Sequence, residues 1–180
     1  MKSERGMETE LRGKRVTLRS GRASDGDEVL RILREPTVAE RWGAFSREEV
    51  VDQFIGADRA FVIEFEGEVI GAIQYHEEED PQYRHAGIDI FLTSSRQGRG
   101  LGTEAIRVLA RHLILDRRHH RLTIDPAADN LPAIRAYERV GFRRVGIMRK
   151  YERGPDGSWH DGLLMDMLAE DFQGGLPDNT

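Results

Sequence analysis

Apolar residues recur along this chain in two rhythms, every second position and every third to fourth, broken by clusters of glycine, proline and small polar residues. The first rhythm marks half-buried strands and the second marks amphipathic helices. Arg15-Val16-Thr17-Leu18-Arg19 alternates and predicts a strand. Ser24 to Asp27 has the form of a capping box, with Val29, Ile32 and Leu33 following at helical spacing and Pro36 as the stop. A second short helical region is expected over Ser46 to Ile55. Phe61 to Phe65 and Val69 to Tyr75 read as strands joined by a tight Glu66-Gly67-Glu68 hairpin. In the strand expected over His85 to Thr93, Ala86, Ile88, Ile90 and Leu92 share one face, and Gly87, Asp89, Phe91 and Thr93 share the other.

A helix follows with a stripe of Leu101, Ala105, Val108 and Leu109. Arg121 to Asp125 is an expected strand, with Leu122 and Ile124 opposite Thr123 and Asp125. Asn130 caps the next predicted helix, which ends at Gly141. Phe142 to Arg153 and Ser158 to Leu168 form a hairpin about Gly154-Pro155-Asp156-Gly157. The order is β-α-α-β-β-β-α-β-α-β-β. The strand-helix-strand unit from 85 to 125 requires a parallel pair with a right-handed crossover, while the hairpins make the rest antiparallel. The expected class is α/β, one domain over residues 13–170, with 1–12 and 171–180 as tails.

Composition narrows the chemistry. The 180 residues include no cysteine, which removes disulfides, thiolate metal sites and a cysteine nucleophile. The net charge of -5 argues against a nucleic-acid partner and suits a cationic one. No apolar run is long enough for a membrane span, and the first ten residues lack the apolar core of a signal peptide, so a cytoplasmic protein is expected. No metal-binding pair and no Gly-x-Ser-x-Gly is present, and no metal is expected.

Gln97-Gly98-Arg99-Gly100-Leu101-Gly102-Thr103 lies between a strand and a helix. Glycines let a backbone approach an anion, and a helix start presents free N–H groups to it. The loop fits neither the P-loop nor the dinucleotide fingerprint, since the lysine of one and the third glycine of the other are missing. A plain glycine-rich turn is the alternative.

Gln97-x-x-Gly100-x-Gly102 after a strand, together with Asn130-x-x-Ala133-x-x-x-Tyr137-x-x-x-Gly141-Phe142, resembles the GCN5-related N-acetyltransferase superfamily over roughly residues 15 to 169. The resemblance implies a mixed, mostly antiparallel sheet, splayed at a central parallel strand pair and flanked by helices, with acetyl-CoA as co-substrate. Backbone groups of Ile90, Phe91 and Leu92 would then hold the pantetheine arm. Gln97 to Thr103 would hold the pyrophosphate, Asn130 and Ala133 would adjoin the arm, and Tyr137 would protonate the leaving thiolate. Asp89 is the candidate base and Asp125 its counterpart on the neighbouring strand.

Glu77-Glu78-Glu79-Asp80-Pro81 before Gly87-Ile88-Asp89, Thr123-Ile124-Asp125-Pro126 before the Asn130 motif, and Arg41-Trp42-Gly43 resemble aminoglycoside 6′-N-acetyltransferases. That likeness implies a cationic small-molecule amine as acceptor, held by Trp42, Glu79, Asp80, Asp125 and Asp156, and a monomer or homodimer. Siderophore side-chain and protein N-terminal acyltransferases share the scaffold, the former on the strength of His85 four residues before Asp89. A non-catalytic acetyl-CoA-binding module is the other alternative. His112-x-x-x-Asp116 and the basic run Arg117 to Arg121 read as surface features.

Overall fold

The computed structural model describes residues 9–174. The alternating segments assemble into one eight-stranded sheet in the order β1-β2-β3-β4-β5-β6-β8-β7. Its strands are β1 (Glu10–Arg12), β2 (Val16–Arg19), β3 (Ala60–Phe65), β4 (Glu68–Glu78), β5 (His85–Leu92), β6 (Arg121–Ile124), β7 (Arg143–Arg153) and β8 (Trp159–Leu168). The helices are α1 (Gly26–Leu33), α2 (Pro36–Trp42), α3 (Arg47–Val50), α4 (Leu101–Arg111) and α5 (Leu131–Val140). Wider π-type turns extend α3 to Ile55 and α4 to Asp116.

Every neighbouring pair of strands is antiparallel except β5 and β6. The Glu66-Gly67 turn between β3 and β4 has both residues at positive φ, 52° and 82°, as a two-residue hairpin with right-handed strand twist requires. Side-chain alternation sorts β5 between two cores. Ala86 and Ile88 join the layer under α4 and α5, with Leu101, Ile106, Leu109 and Ile134. Phe91 joins a second layer with Val29, Ile32 and Leu33 of α1 and with Phe54. Asp89 shares the face of Phe91, the side of α1 and α2.

The parallel pair is short. β5 and β6 register only at Ala86↔Leu122 and Gly87↔Thr123. Beyond that point β6 stays with β8, through Ile124↔Met165 and the Leu163 N–H bond to the Pro126 carbonyl at 2.9 Å. The sheet therefore opens between β5 and the chain that follows β6. The hydrogen bond from Thr93 N–H to the Ile70 carbonyl, 2.8 Å, fixes the odd residues of β5 as those bonded to β4. By alternation, the backbone groups of Ile90 and Leu92 face the opening.

Several local expectations change. β1 pairs with β2, so the sheet begins at Glu10, inside the stretch read as an N-terminal tail. Residues 1–8 and 175–180 of the two expected tails lie outside the described residues. Ser24 does not cap α1. The cap position is Asp25, whose carboxylate instead accepts the Arg22 N–H (2.7 Å) and pairs with the buried Arg19 guanidinium (2.7 and 3.1 Å). Pro36 does end α1, but it also opens α2, because a proline at a first helical position sacrifices no hydrogen bond. His119 is not a solvated connection. It is buried at 1% exposure, with Nε2 2.6 Å from Glu77 Oε1. β7 carries two bulges, at Arg144/Gly146 and Met148/Glu152, with Lys150 at φ 50° between the flanks of the second.

Candidate active site

The site follows from the opening. Continuing the β5–β6 register by two residues puts Asp89 and Asp125 abreast, one on each lip. Among the described residues no arginine or lysine lies within salt-bridge distance of either, and the basic side chain beside Asp89 is His76, Nδ1 to Oδ2 3.9 Å. Burial, followed by the charge of Asp125, raises the Asp89 pKa above the usual carboxylate range, and His76 and Gln74 oppose the shift. A carboxyl raised toward the working range and left without a counter-ion suits proton abstraction and the holding of a cation.

Tyr137 reaches the same opening from α5, where the helix start is fixed by Asn130. The Asn130 Oδ1 accepts the Ala133 N–H at 3.4 Å, and Gly141 at φ 125° ends the helix. The Tyr137 ring packs against the core, and burial, then Asp89 and Asp125, hold its phenol protonated well above neutral pH. A neutral phenol beside the opening can donate a proton. On the other lip, at the second bulge of β7, Tyr151 and Glu152 stand near Asp125, with half of Tyr151 exposed. Contact with Asp125 is the main cause that pushes the Tyr151 pKa up to about 12. Burial, then Asp125, raises Glu152. Trp42 closes the α2 side, edge-on to Phe91 at 5.0 Å and to Phe54 at 6.0 Å.

The glycine loop sits at the C-terminal end of β5. Gly98 and Gly100 hold φ of 71° and 78°, the left-handed region where a side chain is strained. A Cβ on Gly102 would meet Leu92 Cδ1 at 2.9 Å, so the third glycine sets the approach of α4 to β5. Leu101 turns its side chain into the core, and only its backbone belongs to the loop. Among the described residues no backbone acceptor engages the N–H groups of Gly98, Arg99, Gly100, Leu101, Gly102 or Thr103. Six free donors at a helix start can hold a diphosphate. The Gln97 side chain braces the loop by donating Nε2 to the Leu92 carbonyl, 3.0 Å.

Two carboxylates lock the loop from outside. Glu104 accepts the N–H groups of Arg15 and Val16, tying α4 to β2, while Arg15 Nη1 donates to the Arg99 carbonyl at 3.2 Å. Glu35, between α1 and α2, accepts from Thr93 Oγ1 (2.6 Å), Ser94 N–H (2.7 Å), Ser94 Oγ (2.7 Å) and Arg31 (3.0 Å). Burial alone would raise Glu35, but the bonds from Thr93 and Ser94 outweigh it and bring the pKa down to about 2.

Two residues expected at the acceptor site, Glu79 and Asp80, stand elsewhere, whereas the turn that carries Asp156 packs beside Gly43, next to Trp42. Glu77 and Glu78 end β4, and Glu78 registers with His85, four residues or about 13 Å along β5 from Asp89. Glu79 bonds to Arg59 at 2.8 Å, and Asp80 accepts the Gln82 N–H at 2.9 Å. Buried Glu77 is held by Arg59, Arg117 and His119. The acidic run is thus answered largely by Arg59 and the basic run, and it does not join Asp89 and Asp125. Asp156 closes its own turn through Ser158 and His160. His85 turns to the Tyr83 carbonyl at 2.7 Å, leaving His76 as the histidine beside Asp89. His76, Tyr151, Glu152 and Glu35 are the site residues the sequence reading missed. His76 could have been found as the alternating partner of Gln74, while the bulge that delivers Tyr151 and Glu152 leaves no periodic signal.

Comparison with known proteins agrees with this fold. The family model of the acetyltransferase (GNAT) family matches residues 27–142. Aminoglycoside N(6')-acetyltransferase type 1 of Klebsiella pneumoniae is 32% identical over 164 residues, covering 79% of each protein. The solved structure of AAC(6')-Ib in complex with paromomycin and acetyl-CoA superposes with a TM-score of 0.73 at 28% identity, over 93% of this chain and 100% of that one. Mycobacterium smegmatis RimJ in complex with CoA-disulfide superposes with a TM-score of 0.77 at 26% identity, over 94% and 90%. With more than half of its length matched by the family model and its sheet opened at the parallel pair β5 and β6, the chain belongs to the acetyltransferase (GNAT) family.

Proposed function

We propose that this acetyltransferase uses acetyl-CoA to acetylate a polycationic small-molecule amine, with the 6′-amine of an aminoglycoside as the acceptor. The observation that carries the reading is the pair Asp89 and Asp125, abreast on the lips of the opening and without an arginine or lysine partner among the described residues. Partly buried carboxylates without a counter-ion are costly, and an ammonium-bearing substrate supplies one. The likeness to enzymes named for aminoglycoside N(6′) acetylation supports the same acceptor.

In this reading the N–H groups of Gly98 to Thr103 hold the diphosphate, and the backbone of Ile90 to Leu92 bonds the amides of the pantetheine arm, with Asn130 and Ala133 alongside. Trp42 walls the acceptor. Asp125 orients the ammonium, with Glu152 and Tyr151 behind it. An ammonium has no lone pair, so Asp89 first takes a proton from it. Backbone N–H groups at the opening stabilise the developing oxyanion, and Tyr137 gives its proton to the departing sulfur. The absence of cysteine is in keeping with direct transfer between the two bound substrates. Use of acetyl-CoA fits a cytoplasmic setting.

The test is a thiol-release assay with acetyl-CoA and a panel of aminoglycosides, polyamines, hydroxamate-precursor amines and peptide N-termini. Turnover confined to aminoglycosides carrying a 6′-amine is expected. Turnover only on peptides or only on hydroxamate-precursor amines sinks the acceptor assignment, and coenzyme binding without turnover on any amine sinks the catalytic one.

A further inference from the structure

Acetyl transfer from a thioester to an ammonium leaves one proton over. The nitrogen gives up one proton before attack and a second during it, and the departing sulfur takes only one. The products are a neutral amide and a neutral thiol, so one proton must leave the protein in each cycle. If Asp89 receives the first proton, it has to shed it before the next amine binds, and a bound acceptor covers it.

His76 is placed to collect that proton. It stands on β4 opposite Gly87, with its Nδ1 3.9 Å from Asp89 Oδ2. Its side chain is 65% exposed against 37% for Asp89, so it is the member of the pair that meets bulk water. The position is built rather than incidental. A Cβ on Gly87 would lie 2.1 Å from His76 Cε1 and 2.2 Å from Nε2, so the ring rests on the strand only because residue 87 is glycine.

Asp58 apart, which the register sets opposite His76 on the side away from Asp89, the other ionisable groups around it are engaged or lie beyond Asp89. Asp166, in the row beyond Gly87 and Thr123, is held by Arg121 at 3.0 Å, and His85 faces the Tyr83 carbonyl. Asp58 lies on the far side, in the register of β3 continued past Ala60. Asp125 and Glu152 lie across Asp89, on the lip away from β4.

We propose that His76 is the proton exit of the active site, taking the proton from Asp89 after each transfer and passing it to solvent. This rests on Asp89 being the base. The 3.9 Å gap is crossed through one bridging water or a side-chain rotation: the O–H bond on Asp89 breaks as the Nδ1–H bond on His76 forms, and the imidazolium then loses a proton to water or buffer.

The experiment compares wild type, His76→Ala and Asp89→Asn at saturating acetyl-CoA and amine. His76→Ala is expected to lose about tenfold or more in kcat, within the ordinary range for a proton-transfer group, with KM for acetyl-CoA unchanged. Its kcat should climb with added imidazole or with buffer concentration at fixed pH, a response that a structural defect does not give. Asp89→Asn should be slow and unresponsive to imidazole. Wild-type kcat in His76→Ala, or a loss that neither imidazole nor buffer touches, overturns the proposal. If Asp89→Asn is as fast as wild type, the base assignment falls and the relay with it. If Asp89→Asn is slow while His76→Ala is normal, only the relay falls. A readout without turnover is the NMR spectrum of the His76 ring during acid titration. Its shifts should follow the Asp89 titration and cease to do so in Asp89→Asn, whereas identical curves in the two proteins overturn the contact.

Discussion

Glu35→Gln tests how the glycine loop is held. The carboxylate takes three hydrogen bonds from Thr93 and Ser94, the two residues that lead into the loop, and one from Arg31. Its pKa falls from the ordinary 4.5 to about 2. A group depressed in the folded state adds stability above its unfolded pKa and loses it as pH falls through the folded one. The window here is from about pH 4.5 down to about 2. Full conversion of that shift gives an upper limit of about 3 kcal/mol at pH 7, of which roughly two-fifths survives at pH 3. Ser94 is exposed, so water replaces part of the loss. Glutamine also keeps one carbonyl oxygen as acceptor, but its amide nitrogen must face a donor. We expect a net loss of about 1–2 kcal/mol at pH 7, or roughly 3–8 °C in Tm. The difference from wild type should shrink by more than half at pH 3. Because the loop is less preorganised, acetyl-CoA should bind about fivefold more weakly. Differential scanning calorimetry at the two pH values and titration calorimetry with acetyl-CoA make the measurements. A Tm within a degree of wild type at pH 7, or a difference that stays the same at pH 3, refutes the reasoning.

Other expectations follow from the same geometry. Gly100→Val forces a β-branched residue to φ 78°, so it should cost about 1–2 kcal/mol and weaken acetyl-CoA at least about tenfold in a binding titration. Tyr137→Phe should lower kcat about tenfold to a hundredfold while sparing KM for the amine, as read by steady-state thiol release. The base must be unprotonated, so kcat/KM should rise with pH through a limb above the ordinary carboxylate range, because burial and Asp125 raise Asp89. A limb at about pH 4 in the pH–rate profile would contradict that environment. Glu77→Ala should destabilise by about 3 kcal/mol in urea unfolding, since it strands buried His119 and leaves Arg117 unpaired, whereas exposed Glu79→Gln should change neither stability nor KM for the amine.

Most of the fold was legible because the β5 and β6 segments alternate cleanly and the glycine loop and Asn130 punctuate two helices. Alternation alone put Asp89 opposite Ile88, and the strand-helix-strand order made β5 and β6 parallel. Charge runs were harder. Glu77 to Asp80 and Arg117 to Arg121 each look solvated in isolation, and only the folded sheet puts Glu77 against Arg117 and His119 across forty residues of sequence. Bulges were hardest, because an inserted residue erases the period that a pattern reading depends on. The register shift between Met148 and Glu152 therefore hid Tyr151 and Glu152. Pro36 misled in another way: a helix stop and a helix start look the same when the next helix follows at once.

The short parallel pairing has a mechanical meaning. β1 to β5 form one half-sheet and β6, β8 and β7 another, and among the described residues two residue pairs are all the strand pairing that joins them. The helices supply the remaining coupling, as where Arg107 of α4 donates to the Arg139 carbonyl of α5 at 2.6 Å. Such a body need not open as a unit, and the seam is its cheapest line of separation. A ligand lying along that seam acts as a removable strand. It would close an internal edge, slow the exchange of the Ile90 and Leu92 amides, and turn two loosely joined foldons into one.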